Sequence, residues 1–169
     1  MASFLITQNI GAGNIVGVCM DVSIDFFLSL LGILKTGAAY VVLSLEEPIN
    51  RMKYILEHIK PTIVLTHASK KQMIESLNIE SVCLDEEHHT IDQESDAHPD
   101  IQSDRLSPVS IQYISGPTSM PVGITIYNHS LIACNEALQE SIFRDTGTEE
   151  IRFGCFASFL SGYSHRYLM

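Results

Sequence analysis

Tryptophan is absent from this 169-residue sequence, and bases are scarce. Ten Lys and Arg face twenty Asp and Glu, a formal charge of −10. That balance argues against nucleic acid or an anionic membrane as partner. The four cysteines, Cys19, Cys83, Cys134 and Cys155, include no C-x-x-C pair. Neither a zinc site nor a disulfide framework is signalled, and reduced thiols fit a cytoplasmic chain. Long apolar runs are missing too. The most apolar stretch, Phe26 to Leu34, is nine residues long, whereas a bilayer needs about 20. The N-terminal MASFLITQNIGAGN has no base ahead of its apolar residues, so it does not read as a secretory leader. The phosphate-binding pattern G-x-x-x-x-G-K-[ST] is absent. Gly11 and Gly13 precede a strand and Gly17 falls within it, instead of joining a strand to a helix, which excludes a dinucleotide fingerprint.

What is present is a globular composition, 46% hydrophobic and 18% charged. The length suits one domain with a sizeable core. IVGVC (15–19), AYVVL (39–43), TIVLT (62–66) and ESVCL (80–84) read as short apolar strands. Between them lie helical segments. The first has Ser23 as N-cap, Gly37 as C-cap, and Leu28, Leu31, Ile33 and Leu34 on one side. The second starts at Pro48 and runs to Lys60, where Pro61 stops it. The third is SKKQMIESL. Further on, SPVSIQYI and ITIY read as strands, NHSLIACNEALQESIF as a helix with Leu131, Cys134, Leu138 and Ile142 on one face, and IRFGCFASF as a final strand. This alternation predicts an α/β fold of three layers with a largely parallel sheet.

Glu80 to Asp104 holds nine acids and no Lys or Arg. Residues 80–107 therefore read as a solvated acidic loop. His88, His89 and His98 fall inside it without the spacing of a metal site. Cys19, Cys83 and Cys155 read as core thiols, and Met20, Met52 and Met73 as packing. Tyr40 and Arg51 read as structural.

SGPTSMPVG (115–123) joins two strands. A loop of Ser, Gly, Thr and Pro suits phosphate, because glycines allow close backbone approach while N–H groups and hydroxyls meet the anion. A surface turn would have the same composition. Three stretches together carry more: Val16–Leu43, Glu46–Thr66 and Tyr113–Leu131. In this order and spacing they resemble the adenylation domain of nonribosomal peptide synthetases, within the adenylate-forming ligases. LKTGAAYVVL resembles the family's L-K-A-G-x-A-Y-V-P-x-D, and SGPTSMPVG its S-G-[ST]-T-G-x-P-K-G, without a gap. FASF (156–159) is similar to the lead-in to F-D-x-S. The resemblance runs from about Ser3 to Phe159, the N-terminal subdomains of such a ligase.

The resemblance implies Mg-ATP as cofactor, an amino acid or other carboxylic acid as substrate, and an acyl-adenylate as product. The acyl group would pass to phosphopantetheine on a separate carrier domain, with carrier and condensation domains as partners. It implies phosphate contacts at Ser115, Gly116, Thr118 and Gly123, which match the loop motif, as does Pro121. The motif is worn elsewhere. Ile114 replaces a threonine, Pro117 a Ser or Thr, Ser119 a glycine, Met120 a variable position often occupied by Lys, and Val122 the lysine. Pro117 thereby removes an N–H and Val122 a positive charge. Val42 and Ser44 replace a Pro and an Asp in the earlier motif, and Ser161 and Gly162 stand at the Phe-Asp positions. Within 1–169 nothing matches the family's downstream nucleotide motifs or catalytic lysine. The expectation is a truncated, inactive portion of an adenylating domain. The alternative is a non-catalytic nucleotide-binding or scaffold module.

Overall fold

The structure, a computed structural model, describes residues 1–114 and 120–140. Five parallel strands and one antiparallel strand form a single sheet. β1 (Ile15–Cys19), β2 (Ala39–Val42), β3 (Ile63–Thr66), β4 (Ser81–Cys83), β5 (Pro108–Ile114) and β6 (Val122–Tyr127) lie in the order β4-β3-β1-β2-β5-β6. The helices are α1 (Ala2–Thr7), α2 (Ile24–Lys35), α3 (Ile49–Ile59), α4 (Ala68–Glu75), α5 (Leu84–Gln93) and α6 (Asn128–Leu138). β1 pairs in parallel with β2 and β3, β3 with β4, and β2 with β5. β6 returns antiparallel on β5. The α/β, three-layer, largely parallel fold expected from the sequence is the fold observed.

Side-chain alternation along the strands feeds two cores. Val16, Val18, Tyr40, Ile63 and Leu65 face α1 and α2, where Phe4, Leu5, Phe26, Leu30 and Ile33 meet them. Val41, Leu43 and Val64 face α3 and α4, against Met52, Ile55, Leu56 and Ile74. α2 begins at Ser23, whose hydroxyl accepts from the Phe26 N–H, and the turn after it uses Gly37 at φ +78°. Gly17 is needed for a different reason. A Cβ there would stand 2.8 Å from Val64 Cγ2.

Three details differ from the sequence reading. The acidic stretch 80–107 is not loop throughout, since α5 occupies Leu84–Gln93. Its acids Asp85, Glu86 and Glu87 sit in the first helical turn, where negative charge is favourable, and Leu84 and Ile91 anchor it to the α1–α2 core. α1 carries no capping side chain and was not signalled, yet Phe4 and Leu5 bury it. In α2 the buried side chains include Phe26, Leu30 and Ile33, whereas Leu28 and Leu31 are exposed. In α6 Leu131 and Cys134 are half-buried, and helical backbone follows the α-helix through residues 139–140. The expected strand IRFGCFASF, with Cys155, Phe156–Phe159, Ser161 and Gly162, and the helix continuation to Ile142 lie outside the described residues.

Candidate functional site

The candidate phosphate loop grows from the β5–β6 hairpin. Ile114 pairs with Val122, so the connection between the strand ends spans 115–121. β5 runs parallel to β2, and the loop therefore leaves the sheet at its carboxyl side, where ligands of open α/β sheets gather. Ser115, Gly116, Pro117, Thr118 and Ser119 lie outside the described residues. Ile114, Met120 and Val122 are exposed, and Pro121 is buried.

Gly123, expected in the loop, sits inside β6 opposite Tyr113. Its φ is not positive. What it lacks is a side chain, for a Cβ there would come 3.1 Å from Tyr113 Cζ. The Tyr113 ring thus lies across a glycine, a pairing that stabilises an otherwise weak strand position. Its hydroxyl reaches His58 Nδ1, 2.6 Å away in the last turn of α3. His58 in turn stacks on Tyr54, with ring centroids 6.1 Å apart. Partial burial pushes the Tyr113 phenol above its ordinary range. Nothing in the sequence joined His58 to this loop, because 55 positions separate it from Tyr113.

Below this rung, Tyr40 and Ser110 pair across β2 and β5, and both are buried. Burial raises the Tyr40 phenol, and the nearby Ser110 hydroxyl opposes that shift. Tyr40 is structural, as the sequence suggested. Arg51 Nε pairs with Glu47 at 2.8 Å, one turn apart on the approach to α3.

A second polar constellation occupies the carboxyl ends of β1, β3 and β4. Connections from β1 and β3 leave to opposite faces of the sheet there, a crevice position. His67 Nε2 lies 3.2 Å from Asp25 Oδ2, bridging the starts of α2 and α4. The Asp85 carboxylate accepts from the Ala68 N–H at 2.9 Å and so caps α4 from a neighbouring segment. Cys83 donates to the same carboxylate at 2.8 Å. That thiol bond, and the bond from Ala68, hold the Asp85 carboxyl below its ordinary value of 3.8. Burial and then the Asp85 bond push the Cys83 thiol up to about 12. Burial likewise raises Cys19 to about 11. Neither is a thiolate nucleophile at neutral pH. Lys71 pairs with Glu86 and has its ammonium pKa raised by that bond. The constellation joins helix ends to one another and carries no activated nucleophile.

A cavity of about 310 Å³ lies near α1, α2 and α5. Leu28, Leu84 and Ile91 line it with His88 and Asp92, which pair with each other at 3.0 Å. It shares no residue with the hairpin. His89 bonds to Gln93, and His98 to the Pro99 carbonyl. Among the described residues no group of three or more His, Cys, Asp or Glu could hold a metal ion. No helix among them is long and apolar enough to cross a membrane.

Comparison with known proteins points in one direction. A family model described as AMP-binding enzyme matches residues 1–169. Tyrocidine synthase 1 from Brevibacillus parabrevis is 34% identical over 160 residues, covering 94% of this chain and 14% of that protein. The chain spans 2% to 14% of the length of the curated relatives it matches. The N-terminal domain of FACL13 from Mycobacterium tuberculosis superimposes with a TM-score of 0.76 at 19% identity, over 83% of this chain and 38% of that one. ATP-bound MatB from Rhodopseudomonas palustris gives a TM-score of 0.74 at 20% identity, over 82% of this chain and 29% of that one. These two solved structures share the fold.

Proposed function

Because the chain belongs to the AMP-binding enzyme family, we propose that its β5–β6 hairpin presents a nucleotide-phosphate loop. Ser115, Gly116 and Thr118 are the contacts in this reading, with Gly123 as a support below. The observation that carries it is the register. Ile114 and Val122, the strand ends on either side of S-G-P-T-S-M-P, pair at the carboxyl side of the sheet, which supports this reading.

The chemistry proposed is that of an adenylating domain in nonribosomal peptide synthesis, acting in a cytoplasmic setting. The carboxylate oxygen of an amino acid or related acid bonds to the α-phosphorus of ATP. The bond from that phosphorus to the β-bridging oxygen breaks, and pyrophosphate leaves with the electron pair. A phosphopantetheine thiol on a carrier domain then attacks the acyl carbon, loses its proton, and displaces AMP. Mg enters with the nucleotide as its counter-ion. The protein's share is positioning and charge stabilisation. We assign these 169 residues the phosphate-loop share of that task.

Val122 stands where the resemblance places a lysine, and it points into solvent. A charge-assisted hydrogen bond contributes about 1.5–3 kcal/mol, so its loss weakens the loop's hold on phosphate. The test is a thermal melt of the chain with and without millimolar Mg-ATP. Ligand at about 100 times its Kd adds roughly 2.7 kcal/mol and raises Tm by several degrees. Such a rise, enlarged in Val122→Lys, is the expected result. A cooperative melt that neither protein shifts would favour the scaffold reading and end this one.

A further inference from the structure

We propose that His58 is a positioning residue for the end of the β5–β6 hairpin, Ile114 and Val122, acting through Tyr113. The inference rests on the nucleotide reading above for its purpose, but not for its geometry. The Tyr113–Gly123 pair is the rung next to the loop's two ends, Ile114 and Val122. Gly123 leaves room for the Tyr113 ring to lie across β6. The ring's hydroxyl is then tied to His58 Nδ1 at 2.6 Å. A phenol hydroxyl donates to an unprotonated imidazole nitrogen. Tyr54, one turn earlier on α3, stacks on the imidazole and holds its plane. α3 itself is fixed to the core by Met52, Ile55 and Leu56. A rigid helix is thereby coupled to one rung of a hairpin.

The other face of the hairpin offers no such support. Ile114 and Val122 share the face opposite Tyr113 by the alternation of the strands, and both are exposed. Between 111 and 140, Pro121 is the one buried residue among those whose side chains are described. The His58–Tyr113 bond therefore adds a polar tether to the packing of the Tyr113 ring on the edge of the α3–α4 core. Its importance grows because Val122 supplies no cation. A loop that binds phosphate through backbone N–H groups and hydroxyls depends on where those groups sit.

The test is amide hydrogen exchange on the full chain, with Mg-ATP binding read in parallel. His58→Phe keeps a ring on Tyr54 and removes the nitrogen. Tyr113→Phe removes the hydroxyl. His58→Asn keeps a hydrogen-bonding atom near the Nδ1 position. Amides of 111–114 and 122–125 are expected to exchange about three- to tenfold faster in both Phe variants, with affinity for Mg-ATP falling by a similar factor. The amides of β1 and β3 should not change. His58→Asn should restore both readouts. The double Phe variant should be no worse than either single one. Unchanged hairpin exchange in both Phe variants would overturn the proposal, as would acceleration spread equally to β1 and β3. Hairpin-specific acceleration in a protein that binds no Mg-ATP would leave the tether standing and remove the nucleotide reading.

Discussion

Val16, Val18, Val64 and Leu65 in the central strands have no exposed surface, whereas Ile114, Val122 and Ile124 on the β5–β6 hairpin expose 54%, 58% and 44%. The two regions share one sheet and are held by different forces. Apolar burial on both faces fixes β1 and β3 between helical layers. The hairpin has main-chain ladder bonds, buried Val109 and Ser110 at its base, and near its end Tyr113, whose ring packs on the edge of the α3–α4 core and whose hydroxyl meets His58. Burial of one aliphatic side chain contributes about 1.5–3 kcal/mol, and a neutral hydrogen bond about 0.5–1.5. The candidate site therefore stands on the part of the fold with the smaller local stability. Segments with few buried apolar contacts open first.

Breaking the central region should have the largest effect. Leu65→Ala removes a fully buried side chain between two layers. Its expected cost is about 2–5 kcal/mol, read from urea denaturation. Gly17→Ala tests the same region by overfilling it. The added methyl meets Val64 Cγ2 in the α3–α4 core, and about 1–3 kcal/mol should be lost. A cost near zero for both would show that the sheet is packed less tightly than its burial indicates.

Asp85 gives an intermediate effect with a pH signature. Its carboxylate caps α4 and accepts from Cys83. Asp85→Asn keeps an oxygen acceptor for the Ala68 N–H but removes the negative charge at the start of α4, worth about 0.3–1 kcal/mol, so it should be destabilised modestly at neutral pH. The folded-state pKa lies below the ordinary value of 3.8. The charged form is thus the one that folding favours, and its contribution is fully present above that value. It is lost as pH falls from about 4 toward the lower folded pKa. The stability gap between wild type and Asp85→Asn should close over that window in chemical denaturation. A gap independent of pH would mean that the cap is not ionic.

How far the sequence disclosed this division follows from what each segment signals. β1 to β4 were legible because short apolar runs bounded by Gly, Pro and polar residues have few other uses. α5 was not, because its acids read as a solvated run. Their concentration in one helical turn, anchored by Leu84 and Ile91, is a three-dimensional fact. α2 is apolar almost all round, so no stripe marked Phe26 and Leu30 as inside and Leu28 and Leu31 as outside. The loop motif begins and ends at the β5 and β6 strand ends, but that Gly123 lies within β6 under the Tyr113 ring has no local pattern. The Asp25–His67 bridge and the His58–Tyr113 tether join positions 42 and 55 residues apart. Neither has a local pattern to find.

The smallest expected effect on stability belongs to the hairpin's open face, and it completes the comparison. Ile124→Thr keeps a β-branched side chain in β6 and exchanges apolar surface for a hydroxyl already in water. Surface substitutions of this kind stay within about ±0.5 kcal/mol. The urea midpoint should therefore be unchanged, in contrast to Leu65→Ala in the same sheet. What should change is association. Ile114, Val122 and Ile124 form a row of exposed aliphatic side chains beside an edge strand, a surface that recruits further chains. Light scattering at rising concentration should show less self-association for Ile124→Thr than for wild type. A loss of several kcal/mol instead would place Ile124 against a packed surface, and the division between a buried sheet and an open hairpin would fail at that residue.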